Sequence, residues 1–222
     1  MKIEQYCQID ASRLSFSPQQ ASDFAKKVAG DFNPIHDPDS KRFCVPGDLL
    51  FSVILHHYGL YQKMDFNFSG MVGSGINLVL PEFDGGSLQL TDDNDKPYLT
   101  VECSGESSHN KKLIDSLATH YVEFSSKAFP HILVPLMEQQ NVMINPDRPL
   151  VIYDSMSFEL DTLEIDDIHL ELSQQQLDVR IGHVVRLGAL PLILAGTAGA
   201  GEPVPAYEVF ALPLEHPDDG PR

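Results

Sequence analysis

The chain has 222 residues, of which 42% are apolar, and a formal net charge of −17. That length and apolar content admit one large domain or two small ones and exclude a disordered chain. The charge argues against nucleic acid and anionic membranes as partners, and no uninterrupted run of about 18 apolar residues is available to span a bilayer.

The opening segment "MKIEQYCQIDASRL" has no apolar stretch of signal-peptide type, so a cytoplasmic protein is expected. Cys7, Cys44 and Cys103 are far apart and odd in number, which predicts free thiols rather than disulfides or a zinc site. The first clear element is "SFSPQQASDFAKKVAG". Ser17 suits an N-cap, Pro18 the first helical position, and Gln20 completes a capping box. Phe24, Ala25 and Val28 form one apolar stripe, and Gly30 is suited to a left-handed helix end.

A polar run follows, "DFNPIHDPDSKRF", then "PGDLLFSVILHHYGLYQKM". The latter is apolar nearly all round, which predicts a buried helix over 46–62. Beyond it the period changes. "INLVLPEF", "GSLQLTDD", "PYLTVECSGES" and "THYVEFS" read as short strands, with turns at "DGG" and "DNDKP". The order then repeats: "FPHILVPLMEQQ" is expected to be a helix at 129–140, and "PLVIYDSMSFEL", "IHLELSQQQLDVRIGHVVRLGAL" and "LPLILAGTAG" are expected to be strands. Helices segregated from runs of strands point to an α+β fold. Residues 1–127 carry 11 basic and 17 acidic residues, and residues 128–222 carry 4 and 15. "AGTAGAGEPVP" lacks the lysine and spacing of a phosphate loop and reads as a turn. The tail at 215–222 is polar and proline-rich and is expected to fray.

The polar run holds the candidate chemistry. Pro34 disfavours a helical Asn33, so Asp31 and His36 are separated by a turn that can bring both to one cavity. A carboxylate and an imidazole sharing a water suit general acid–base catalysis. The alternative is an ordinary Asx-rich loop. A calcium loop fits poorly: Ile35, His36 and Arg42 stand where an oxygen ligand, a glycine and a glutamate are needed. No metal or cofactor is therefore expected. His56 and His57 are adjacent on the expected helix and diverge by about 100°, which disfavours shared chelation. His109, His120, His131, His169 and His183 show no ligand spacing. Lys26, Lys27, Lys41 and Arg42 flank the run, either as solvated charges or as contacts for an anionic ligand. Ser52 either lines a ligand tunnel or bonds back to its own helix.

"FAKKVAGDFNPIHDPD" resembles the signature F-A-x-x-x-G-D-x-N-P-x-H of the MaoC-like (R)-specific enoyl-CoA hydratases of the hotdog superfamily. Phe24, Ala25, Gly30, Asp31, Asn33, Pro34 and His36 match in order. The family's second block, V-H-G-M-L, corresponds to Val45, Pro46, Gly47, Asp48 and Leu49, so the glycine is kept while the histidine and methionine are replaced. "GSGINLVLPEFDGGSLQL" resembles the strands that follow. The chain as a whole also resembles a bacterial family known only as a domain of unknown function.

The resemblance implies a double hotdog: one unit at 1–127 bearing the motif, a degenerate second at 128–214, and each a long helix wrapped by antiparallel sheet. It implies that Asp31 and His36 activate the water added to a trans-2-enoyl thioester, that the Gly47 N–H polarises the thioester carbonyl, and that Asn33 braces the loop. Ser52 is placed with the substrate-binding residues. The implied partner is an acyl-CoA or acyl carrier protein thioester, and a homodimer is compatible with it. The implied reaction is (R)-specific hydration or the reverse dehydration. The alternatives are a hotdog thioesterase and a non-catalytic acyl-thioester binder, the latter suggested by Pro46 and Asp48.

Overall fold

A computed structural model describes residues 1–144, 152–165 and 168–172, together with strands at 176–177, 184–188, 192–195 and 205–215. Helix α1 (Pro18–Phe24) opens as expected: Ser17 Oγ accepts the Gln20 N–H at 3.1 Å, and the Gln20 side-chain oxygen accepts the Ser17 N–H at 3.0 Å. The helix then widens into a π turn, Ala25–Ala29, and stops at Gly30, whose φ of 71° is left-handed. This widened end lets the Asp31 N–H reach the Ala25 carbonyl at 2.8 Å, which fixes the start of the polar run.

Helix α2 (Gly47–Tyr58) is shorter than the expected 46–62 because Gly59, at φ 92°, turns the chain into strand β3. Its core contacts cover most of its circumference: Leu49, Leu50, Phe51, Val53, Ile54 and Leu55 are all buried. Phe51 packs against Phe66 of the sheet at a ring distance of 5.2 Å and against Tyr121 at 4.6 Å.

The strands before β8 are β1 (Gln8–Asp10), β2 (Arg13–Ser15), β3 (Leu60–Phe68), β4 (Leu78–Val79), β5 (Gly86–Asp92), β6 (Pro97–Ser108) and β7 (Met143–Ile144). They are followed by β8 (Ile152–Glu159), β9 (His169–Leu172), β10 (Gln176–Leu177), β11 (Val184–Gly188), β12 (Leu192–Ala195) and β13 (Pro205–Glu215). The main path is β1-β2-β4-β5-β6-β3-β8-β13-β11-β10. Strand β3 pairs antiparallel with β6 on one side and with β8 on the other, from Lys63↔Glu159 to Asn67↔Ser155. Gln62 reinforces this junction. Its side chain accepts the Glu106 N–H and donates to the Asp161 carbonyl, while its own carbonyl accepts the Leu160 N–H.

"THYVEFS", expected as a strand, lies inside helix α3 (Lys111–Ala128). Its aromatic and β-branched residues favour strands locally. The longer pattern prevails: Leu113, Ile114, Leu117, Ala118, Tyr121, Val122 and Ser125 are buried at helical spacing. Asn110 caps the start by accepting the Lys112 and Leu113 N–H groups. The helical run continues through a π turn at Phe129–Leu133 into α4 (Val134–Gln139). The expected division between residues 127 and 128 therefore cuts a continuous helical segment. "INLVLPEF" contributes only the short strand β4. Most of "AGTAGAGEPVP", the tail beyond 215, and His183 lie outside the described residues.

The fold is thus α+β, with helices packed on one antiparallel sheet. The core is one cluster running from Ile3 to Ile168. Among the described residues no helix is long and apolar enough to cross a membrane.

Candidate functional site

The polar run is a set of local closures. Asp31 Oδ1 accepts the Asn33 N–H at 2.8 Å, an Asx turn. Asn33 Oδ1 accepts the Ile35 N–H at 3.2 Å and caps a short 3-10 turn, Pro34–His36. Asn33 thus braces the loop internally. The turn carries His36 back toward Asp31, and His36 Nε2 lies 3.3 Å from Asp31 Oδ2. The two residues singled out by spacing do meet.

The other face of the imidazole is fixed by the main chain. His36 Nδ1 is 2.7 Å from the Cys44 carbonyl oxygen, and the Cys44 N–H donates to the Ile35 carbonyl at 3.0 Å. A carbonyl only accepts, so Nδ1 carries a proton. Nε2 is the ring edge turned to Asp31. Burial alone would raise the Asp31 carboxyl, but hydrogen bonds from His36 and the Asn33 N–H, with the His36 charge, outweigh it and hold Asp31 below the usual carboxylate range. The pair is thus an ionised carboxylate facing the Nε2 edge of a ring whose Nδ1 side is held by the main chain. The His36 side chain is 11% exposed and that of Asp31 32%, so the pair is half-sheltered within a surface loop.

Cys44 connects this pair to α2. Three residues beyond it, Gly47 opens the helix after Pro46, with no side-chain cap. The first turn closes through Leu49 and Leu50 N–H groups on the Pro46 carbonyl. Gly47 is partly exposed, and its N–H is one of the first-turn donors that have no acceptor within the helix. Asp48 follows in the first turn, and its Oδ1 is buried. Ser52 adopts the back-bonded arrangement: it is fully buried and its Oγ donates to the Asp48 carbonyl at 2.8 Å. Its hydroxyl is thus engaged within the helix.

The flanking cations divide. Lys26 bonds Asp37, which ties the π turn to the loop, and Lys27 pairs with Asp23. Lys41 and Arg42 are exposed, with no ion pair among the described residues. His56 bonds Asp115 of α3 at 2.9 Å and the Ser52 carbonyl at 2.7 Å, while the His57 ring packs edge-on to Tyr58. Cys44 is no nucleophile at neutral pH, since burial pushes its thiol up to about 11. Cys7 and Cys103 are also free thiols. Among the described residues no group of three His, Cys, Asp or Glu side chains could hold a metal.

Two contributors were not legible in the sequence. The Cys44 carbonyl is a main-chain group without a side-chain signal, and the Lys26–Asp37 tie needs the loop closed before it exists. A separate trough of about 520 Å³ lies on the outer sheet face, lined by Asp65, Asn67, Gln89, Thr100, Glu102 and Ser157 among others. It shares no residue with the acid–base loop.

Residues 1–185 match a family described as "Protein of unknown function (DUF3581)". Neither a curated protein nor a solved structure matches the chain.

Proposed function

Since the chain belongs to the DUF3581 family, whose description assigns no reaction, we propose from the site itself that it is an acyl-thioester hydro-lyase. It would hydrate trans-2-enoyl thioesters with (R) specificity or run the reverse dehydration. The observation that carries this reading is the Asp31–His36 contact, with the Cys44 carbonyl fixing the imidazole.

The chemistry needs three functions. A water must be held and deprotonated as its oxygen attacks C3, a proton must reach C2, and the thioester oxygen must be stabilised as negative charge develops. Asp31, ionised, accepts the proton of the water. His36, when it carries an Nε2 proton, delivers it to C2. The pair returns to its starting state by moving one proton from Asp31 to His36. The Gly47 N–H, at the positive end of α2, faces the thioester oxygen. No metal or redox group is required.

A double hotdog would suit this chemistry. Its support is the order of elements: α2 precedes β3 to β6, α3 and α4 precede β7 to β13, and the first long strand after each helical segment, β3 and β8, pair antiparallel. Antiparallel pairing of equivalent strands is what a two-fold relation between units produces. Under this reading the substrate is an acyl-CoA or carrier-protein thioester, and a homodimer is a further assembly.

The buried Asp48 Oδ1 favours a second reading, a non-catalytic acyl-thioester binder, because a carboxylate near Gly47 opposes a developing oxyanion. The deciding experiment follows the ultraviolet absorbance of the conjugated enoyl thioester with short, medium and long trans-2-enoyl-CoA. Loss of absorbance supports the hydro-lyase. Thiol release without hydration points to a thioesterase, and binding without turnover points to the binder.

A further inference from the structure

We propose that Lys26 and Asp37 are a positioning pair that sets the separation of Asp31 and His36, an inference whose catalytic consequence rests on the hydro-lyase reading and whose geometry does not. Lys26 Nζ lies 2.5 Å from Asp37 Oδ1. Lys26 belongs to the π turn that ends α1, and Asp37 directly follows His36 at the close of the short 3-10 turn. The residue before Lys26, Ala25, accepts the Asp31 N–H at 2.8 Å. Two consecutive residues of the π turn therefore hold the loop at both members of the acid–base pair. Ala25 holds Asp31 itself, and Lys26 holds the chain neighbour of His36.

The other ties of His36 run elsewhere. Its Nδ1 meets the Cys44 carbonyl at 2.7 Å, the Cys44 N–H donates to the Ile35 carbonyl, and the Val45 N–H donates to the Val72 carbonyl at 2.8 Å. These bonds join the His36 arm to itself and to the segment at Val72, not to α1. Lys27 is an internal comparison. It carries the same charge one position along, but it pairs with Asp23 at 2.9 Å, inside its own helical segment, so that ion pair does not reach the loop. The Lys26 and Asp37 side chains are 37% and 36% exposed, so solvent weakens their attraction and either can be replaced without disturbing the core. Loss of the pair frees the His36 arm from α1 and lengthens its 3.3 Å approach to Asp31.

The test reads the His36 ring through the proton–carbon NMR correlation of its Cε1–H, identified as the resonance missing from His36→Gln. Asp31→Asn gives the position of that resonance without the facing carboxylate. At one pH and low salt, Lys26→Met is expected to move the resonance toward that position, and Asp37→Asn, a second route to the same loss, is expected to do the same. Lys27→Met removes an equal charge and is expected to leave it in place. The exchanged pair, Lys26→Asp with Asp37→Lys, is expected to bring it back. A resonance that stays still in Lys26→Met and Asp37→Asn overturns the proposal. Equal movement in Lys26→Met and Lys27→Met overturns it too, since charge alone would then be acting, and so does an exchanged pair that restores nothing. In parallel, hydration of a trans-2-enoyl-CoA is assayed. The kcat of Lys26→Met is expected to fall about twofold to fivefold with KM little changed, the scale of an exposed ion pair, while Lys27→Met matches the parent. A moved resonance with unchanged kcat in a hydrating protein overturns the proposal and leaves the hydro-lyase reading standing. A parent that does not hydrate removes the catalytic reading, and the resonance alone then decides whether the pair sets the contact.

Discussion

His56 Nε2 stands 2.9 Å from Asp115 Oδ1, so the central helix α2 is bonded directly to α3 by a histidine and a carboxylate. The Met1 amino group meets the same oxygen at 3.0 Å. Burial acts to raise the Asp115 carboxyl, but the hydrogen bonds from His56 and the amino group, and their charges, outweigh it and lower it. A carboxylate lowered in the folded state stabilises that state above its unfolded pKa, and the gain is lost as pH falls through the folded value. Melting temperatures of the parent and Asp115→Asn should therefore differ most above the unfolded Asp value of about 3.9 and converge only as pH falls below the usual carboxylate range. Parallel curves across that range would show that the contact does not contribute to stability.

Asp31→Asn and His36→Ala should each lower hydration of a trans-2-enoyl-CoA by about a hundredfold or more, the scale of removing an acid–base group. Since Asp31 is held low, the parent's kcat/KM should show no loss from Asp31 protonation until the pH is below the usual carboxylate range. Initial rates over a pH series measure both effects. Circular dichroism should show both variants folded, since neither side chain belongs to the core cluster.

Asp48 separates catalyst from binder. In a working hydro-lyase Asp48→Asn should stay near parental activity and lose up to about 2 kcal/mol of helix-dipole stabilisation, the upper end for a partly buried carboxylate. If the native protein is a binder, Asp48→Met should create or sharply raise hydration. Assaying both variants beside the parent gives the answer, and a large gain in Asp48→Met would refute native catalysis.

Lys41 and Arg42 are candidates for contact with the phosphates of a coenzyme A or phosphopantetheine carrier. Lys41→Ala combined with Arg42→Ala should raise KM for an enoyl-CoA several-fold, and raising salt from about 0.05 to 0.5 M should erase most of the difference. Unchanged KM at low salt would assign both residues to ordinary solvated charge.

How far the sequence reached depends on the distance over which each feature is determined. The α1 cap, the Gly30 stop and the Asp31–His36 approach are set by residues a few positions apart, and all three were legible. The strand expectation for Thr119–Ser125 failed because Tyr121, Val122 and Phe124 favour strands locally, while the helix is set by a burial pattern that begins at Leu113. The end of α2 was overrun for a different reason. Gly59 looks harmless in an apolar run, but a Cβ there would stand 2.9 Å from the His109 ring, a neighbour visible only after folding. Gly59→Ala should accordingly destabilise the protein by about 1 kcal/mol or more in denaturant unfolding, from strain and crowding together.

The ladder between β3 and β8, with Gln62 fastened to both sides of the junction, leaves the two halves no hinge. Separating them would break main-chain hydrogen bonds in the middle of the sheet and expose the Phe66–Phe158 stack. A ligand of the proposed site would therefore have to enter and leave without the sheet parting, through movement of the loop between Gly30 and Pro46 alone. That loop is restrained by a few hydrogen bonds and one ion pair, whereas the frame beneath it is held by a continuous main-chain ladder.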